Sequence, residues 1–162
     1  MDLAEGAKGT GVASVTGGPR TGGFEIREHT ADVLIVAWGP TLEEAFKYAV
    51  LGMYEVMTDL GSVRPAEERV VEAEGTDLEN LLYNLVERLI ILFDEEAFLV
   101  SSVEDAKLSQ SDGGWRATLV VRGERYDPSR HESRVLVKAA TYHMMRIWSE
   151  SGAWYVQYVV DI

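Results

Sequence analysis

Residues 33–46 read VLIVAWGPTLEEAF, and this stretch sets the class of the fold. Its first six residues are apolar at odd and even positions alike, as in a strand covered on both faces. Gly39 and Pro40 then stop the strand. Thr41 and Glu44 stand three apart, the spacing of a capping box, so a helix starts at once. Leu42, Phe46, Ala49, Met53 and Met57 recur at helical intervals and give that helix one core-facing stripe, up to residues 59–61.

The same unit recurs downstream. RVVEAEG (69–75) partly alternates and reads as a short strand, and TDLE (76–79) opens a second helix with Thr76 at N-cap and Glu79 at N3. Leu78, Leu82, Leu85, Leu89 and Leu92 form its stripe. Around LIILF (89–93) the apolar surface widens to nearly the whole circumference, which requires burial on several sides or a partner. Beyond residue 97 the period is two. Residues 97–109 and 115–127 flank the turn SDGG, and 133–150 and 153–162 flank the turn SG, giving two hairpins. The arm 133–150 contains helix formers, but its Val, Thr, Tyr, Ile and Trp content favours a strand. Two strand-plus-helix units followed by hairpins predict an α+β fold, a single-domain sandwich of mostly antiparallel sheet with two main helices packed on one face.

Upstream, order is expected from Phe24. Residues 1–23 hold seven of the fifteen glycines, mixed with Ser, Thr and Ala, and read as a flexible tail outside the 24–162 domain. They lack the charged start and apolar centre of a secretory signal. No stretch approaches the roughly 20 apolar residues of a membrane span. The chain has no cysteine, which removes disulfide, thiolate and Cys-zinc chemistry and suits a reducing compartment. A formal charge of −12 with only three lysines beyond residue 23 disfavours direct nucleic-acid binding and favours cationic partners or metal ions. Neither a phosphate-binding Gly-rich loop nor a nucleophile elbow is present.

A few polar residues interrupt otherwise apolar runs. His29, Thr30 and Asp32 break the entry strand, Lys138 breaks VLVKAATYH (135–143), and Asp161 precedes the final Ile162. Buried charges need partners. If the strand ends bearing Asp32 and Asp161 meet, their two carboxylates and the terminal carboxylate converge, and a hard divalent cation or Lys138 would relieve the repulsion. The plainer reading makes each aspartate a turn or cap residue and Lys138 a snorkelling edge side chain. His29, His131 and His143 follow no known zinc spacing, and His29 suits better a role organising the Asp32 loop. Tyr126, Asp127 and Pro128 read as a turn.

Six strings then fall in a familiar order: HTADV (29–33), TLEEAF (41–46), TDLENLL (76–82), GERYD (123–127), VKAATYH (137–143) and the terminal VVDI. Together they resemble the archease family over residues 24–162. The resemblance implies a small cytoplasmic accessory protein, not itself an enzyme, with a chaperone-like role in tRNA splicing. Its implied partner is the RtcB-class tRNA ligase, whose guanylylation and multiple turnover it promotes. It also implies a divalent metal, calcium first, with magnesium or manganese as alternatives. The implied ligands are Asp32, Asp161 and a backbone oxygen of Ile162, with Lys138 important for activity. An oxygen-only acidic set suits hard cations over zinc. Leu34 stands where the family often has glycine, implying a less open backbone, and KAATYH replaces the commoner KAVTYH. The alternatives are a general metal-dependent chaperone that binds clients on the wide face of the second helix, and a small phosphohydrolase using Asp32, Asp161 and Lys138.

Overall fold

The computed structural model describes residues 21–28 and 31–162, so the Gly-rich segment 1–20 and the residues His29 and Thr30 lie outside the described residues. Among the described residues, eight strands and two long helices follow one another as β1 (Gly23–Glu28), β2 (Asp32–Gly39), α1 (Leu42–Met57), β3 (Glu67–Gly75), α2 (Leu78–Glu96), β4 (Phe98–Ser111), β5 (Gly114–Arg125), β6 (Ala139–Ala140), β7 (Arg146–Glu150) and β8 (Ala153–Asp161). A short 3-10 turn, Leu60–Ser62, follows α1. The strands form two antiparallel sheets. One runs β1-β2-β8-β6 with β7 also on β8; the other runs β3-β5-β4. This is the α+β architecture expected, with the sheet divided in two.

Each helix covers mainly one sheet. α1 lies on β1, β2 and β8 and also touches β4; α2 lies on β3 and β5 and reaches β6 and β7. Every residue from 49 to 58 is buried, so the C-terminal part of α1 is enclosed on all sides. The wide apolar face expected to surround α2 is mostly core: Leu89 and Ile90 are buried, Leu92 and Phe93 pack partly, and Ile91 is left 44% exposed. β2 runs between β1 and β8 and meets α1, and both its parities are largely buried: Val33, Ile35 and Ala37 on one, Leu34 and Trp38 on the other. Leu34 sits in that unbroken ladder between Arg27 and Val159 and is buried, so its larger side chain is accommodated.

The helix starts follow the capping chemistry, with one shift. The Thr41 hydroxyl accepts from the Glu44 N–H at 3.1 Å, as expected. At α2 the N-cap is Asp77, not Thr76: its carboxylate accepts from the Asn80 N–H at 2.8 Å. Asn80 Oδ1 reaches back to accept from the Thr76 N–H at 3.0 Å, so Asn80 performs the task assigned to Glu79. An Asp caps at least as well as a Thr, and moving the cap one residue leaves the apolar stripe in place.

The last hairpin needs correction. The arm 133–150 is not one strand: only Ala139–Ala140 and Arg146–Glu150 pair with β8. Between Ala140↔Val160 and Arg146↔Gln157 the arm has five residues, 141–145, where β8 has two, 158 and 159. Three excess residues must therefore loop out of the edge. Side chains satisfy the interrupted ladder. Thr141 Oγ1 donates to the Val159 carbonyl at 2.8 Å, and Gln157 Nε2 donates to the Met144 carbonyl at 2.8 Å. Met144 turns the chain with φ 54°.

Candidate functional site

The antiparallel register places Asp32 directly opposite Asp161 across β2 and β8, and Asp161 opposite Ala139 of β6. Directly opposed residues project to the same face, so the two carboxylates sit side by side at one end of the five-stranded sheet. Asp32 is half-buried and Asp161 exposed. Beyond the ladder, the Ile162 N–H donates to the Ala31 carbonyl at 3.2 Å, and the Lys138 N–H donates to the Asp161 carbonyl at 2.8 Å. The Ile162 side chain packs partly against the core, which fixes the backbone of that last residue beside Asp32. Sequence distance is thus erased: Asp32, Lys138, Asp161 and Ile162 share three neighbouring strand ends.

Electrostatics decide what this arrangement can do. Like charges directly opposed on one sheet face are unfavourable. Among the described residues no cation forms an ion pair with Asp32 or Asp161, so the Lys138 amine, which is exposed, does not neutralise them. Also among the described residues, no three His, Asp or Glu side chains gather closely enough to hold a metal ion. A cation here would rest on the two carboxylates and on backbone oxygens, the ligand type that hard ions accept. The unneutralised, same-face carboxylate pair fits such an ion.

The histidines separate. His131 is 4% exposed with both ring nitrogens engaged: Nδ1 accepts from the Asp127 N–H at 2.8 Å, and Nε2 lies 2.8 Å from Glu124 Oε2. With Nδ1 accepting, Nε2 carries the proton and donates to Glu124. The ring has no nitrogen left for zinc, so the triad with His29 and His143 does not form; His143 is exposed, and His29 lies outside the described residues. The expected turn at Tyr126, Asp127 and Pro128 is present, closed by the Ser129 N–H and hydroxyl donating to Asp127 Oδ1.

Two buried polar anchors were not singled out from the sequence. Glu124, 8% exposed, accepts from the Arg64 N–H, from Arg130 and from His131. Burial alone would raise its pKa, but these donors together hold it down at about 2. Glu55, 5% exposed, accepts from the Leu60 N–H and faces Arg134 at 3.5 Å; burial pushes its pKa up against those contacts. Arg134 also donates to the Glu55 carbonyl, and its N–H to that of Met57. It thereby supplies the positive charge that the last turn of α1 lacks. These anchors hold residues 126–138, the irregular segment leading to Lys138. Glu55 carried a signal, an acid inside the apolar run YAVLGMYEVM, whereas its partner lies 79 residues away.

Among the described residues no helix is long and apolar enough to cross a membrane. The profile of the archease protein family matches residues 24–162. The chain is 47% identical over 141 residues to protein archease of Aeropyrum pernix, covering 87% of this chain and 98% of that one. It is 47% identical over 140 residues to protein archease of Pyrobaculum neutrophilum, covering 86% and 95%. The solution structure of Methanobacterium thermoautotrophicum protein 1598 superposes with a TM-score of 0.73 at 38% identity, over 86% of this chain and 98% of that one. A Thermotoga maritima archease crystal structure, described as a possible chaperone, shares the fold at a TM-score of 0.57 and 18% identity, over 83% and 94%. With a family match across the whole described fold, and near-full-length relatives at this identity, the chain belongs to the archease family.

Proposed function

We propose that this protein is a cytoplasmic accessory protein of an RtcB-class tRNA-splicing ligase, promoting guanylylation and repeated turnover without performing ligation itself. The observation that carries the reading is Asp32 standing opposite Asp161 on one sheet face with no ion-paired cation among the described residues. In the proposal Asp32, Asp161 and a backbone oxygen of Ile162 hold a divalent ion, calcium first, with magnesium or manganese as alternatives. Once bound, the ion offers Lewis-acid or charge-neutralising chemistry at the tip of the molecule. The chain's own part is to hold two carboxylates at fixed separation and to present the Lys138 amine beside them. His29 is assigned the organisation of the Asp32 loop.

The client-binding chaperone reading is disfavoured by the burial of α2, which leaves Ile91 as the exposed remnant of its apolar run. The test is ligase guanylylation with GTP and metal, at substoichiometric accessory protein. Wild type should support several ligations per ligase molecule, and Asp161→Ala should not. Undiminished stimulation by Asp161→Ala would end the proposal.

A further inference from the structure

The looped-out edge of the five-stranded sheet has features that the metal tip does not use. Three of the five large hydrophobic residues exposed among the described residues fall in this one arm: Leu136 at 47%, Tyr142 at 52% and Met144 at 53%. The loop is nonetheless held at several points. The Tyr142 ring stacks on Tyr83 of α2 with centroids 4.3 Å apart and planes within 8°. Its hydroxyl accepts from Asn80 Nδ2 at 2.7 Å. The Met145 N–H donates to the Tyr142 carbonyl at 3.1 Å, and Gln157 fixes the Met144 carbonyl. Met144 itself occupies the left-handed region, which a methionine adopts only under constraint. Core burial explains neither exposed side chain.

Charge singles out the same arm. In a chain of net charge −12, residues 133–149 contain Arg134, Lys138 and Arg146 and no acid at all. Arg134 is consumed by Glu55 and Glu132. Lys138 and Arg146 are exposed, and among the described residues neither forms an ion pair.

We infer that this edge is a protein-docking surface, in which Met144 enters an apolar pocket on the partner, Tyr142 offers the ring face turned away from Tyr83, and Arg146 faces carboxylates at the rim. Tyr, Met and Arg are the residue types enriched at interface cores, and anchors already immobilised lose little entropy on binding. On an otherwise acidic molecule, the part of this arm away from the Asp32–Asp161 end is where an acidic partner surface meets least repulsion. A single-stranded nucleic acid is the poorer occupant. One face of Tyr142 is taken by Tyr83, Trp148 already stacks with Tyr155 and carries the Arg146 guanidinium over its ring, and two unpaired cations neutralise few phosphates.

The inference rests on the ligase reading for the identity of the partner. The experiment measures ligase binding by titration calorimetry, together with guanylylation at saturating accessory protein. The variants are Met144→Gly, Tyr142→Ala and Arg146→Glu. Met144→Gly is the decisive one, because glycine accepts the left-handed backbone and preserves the loop while removing the anchor. Expected are about tenfold weaker binding for Met144→Gly and Tyr142→Ala. Arg146→Glu should bind more weakly and lose salt dependence, and maximal stimulation should be retained in all three. Binding undiminished in Met144→Gly and Arg146→Glu overturns the surface and leaves the function reading standing. A wild-type chain that does not bind the ligase removes both. Binding of an oligouridine that Arg146→Glu abolishes, with ligase binding intact, overturns it in favour of nucleic acid.

Discussion

Replacing Asp161 with asparagine tests the site without any partner, because the proposed ion and the carboxylate pair make opposite demands on stability. The register puts Asp161 directly across from Asp32, so their Cβ atoms are about 5 Å apart and the carboxylates can splay to about 6 Å. With Asp161 exposed and Asp32 half-buried, the effective dielectric is closer to water than to the interior. Two unit charges at about 6 Å then repel by about 1 kcal/mol at low ionic strength. Asp161→Asn removes that term and should raise the melting temperature of the metal-free protein by about 3 °C for a domain of this size. Calcium at about a hundred times its dissociation constant should stabilise wild type by about 2.7 kcal/mol, a rise of about 8 °C, and the asparagine variant hardly at all. The order of stability should therefore invert: variant above wild type in EDTA, wild type above variant in calcium. Differential scanning fluorimetry at low salt, in both buffers, measures it. A variant that melts lower in EDTA, or that gains as much from calcium as wild type does, refutes the argument that the two carboxylates form one cation site.

Two further predictions concern the scaffold. Glu124 has its pKa lowered from 4.5 to about 2, so its contribution is complete above pH 4.5 and is lost as the pH falls towards 2. Urea unfolding should show wild type losing up to about 3 kcal/mol over that window, and Glu124→Gln, which cannot ionise, a clearly shallower slope; equal slopes would contradict the assignment. At Gly123 a methyl group would collide with the Leu99 carbonyl, where β4 and β5 come together beside a bulge. Gly123→Ala should cost about 3 kcal/mol or more in chemical denaturation, and a loss under 1 kcal/mol would show that the strands can part there.

Local chemistry made most of the fold legible. Helix starts at Thr41 and near Thr76, the stripes of both helices, and the β4–β5 hairpin across SDGG all rest on contacts a few residues apart, which is why sequence patterns carry them. The one-residue error at Asp77 arose because Thr76 and Asp77 are both good caps and a second box-forming side chain, Asn80, was available. The fuller enclosure of α1, buried all round from residue 49 on, depends on where the second sheet packs, which periodicity does not encode. The broken arm at 141–145 escaped for the same reason. Its composition favours a strand, and only the register of both flanks against β8 reveals that three residues do not fit.

Composition and pattern alone establish an acidic α+β domain with two capped helices, and mark Asp32, Lys138 and Asp161 as polar groups out of place in apolar runs. What those groups are to one another follows only from how the strands pair. Antiparallel pairing of β2 with β8 turns residues 129 positions apart into opposed neighbours on one face, and the same pairing leaves the Lys138 amine out of contact with them. Pairing register is a property of the folded sheet as a whole, fixed by which faces are buried, so no local run of residues contains it.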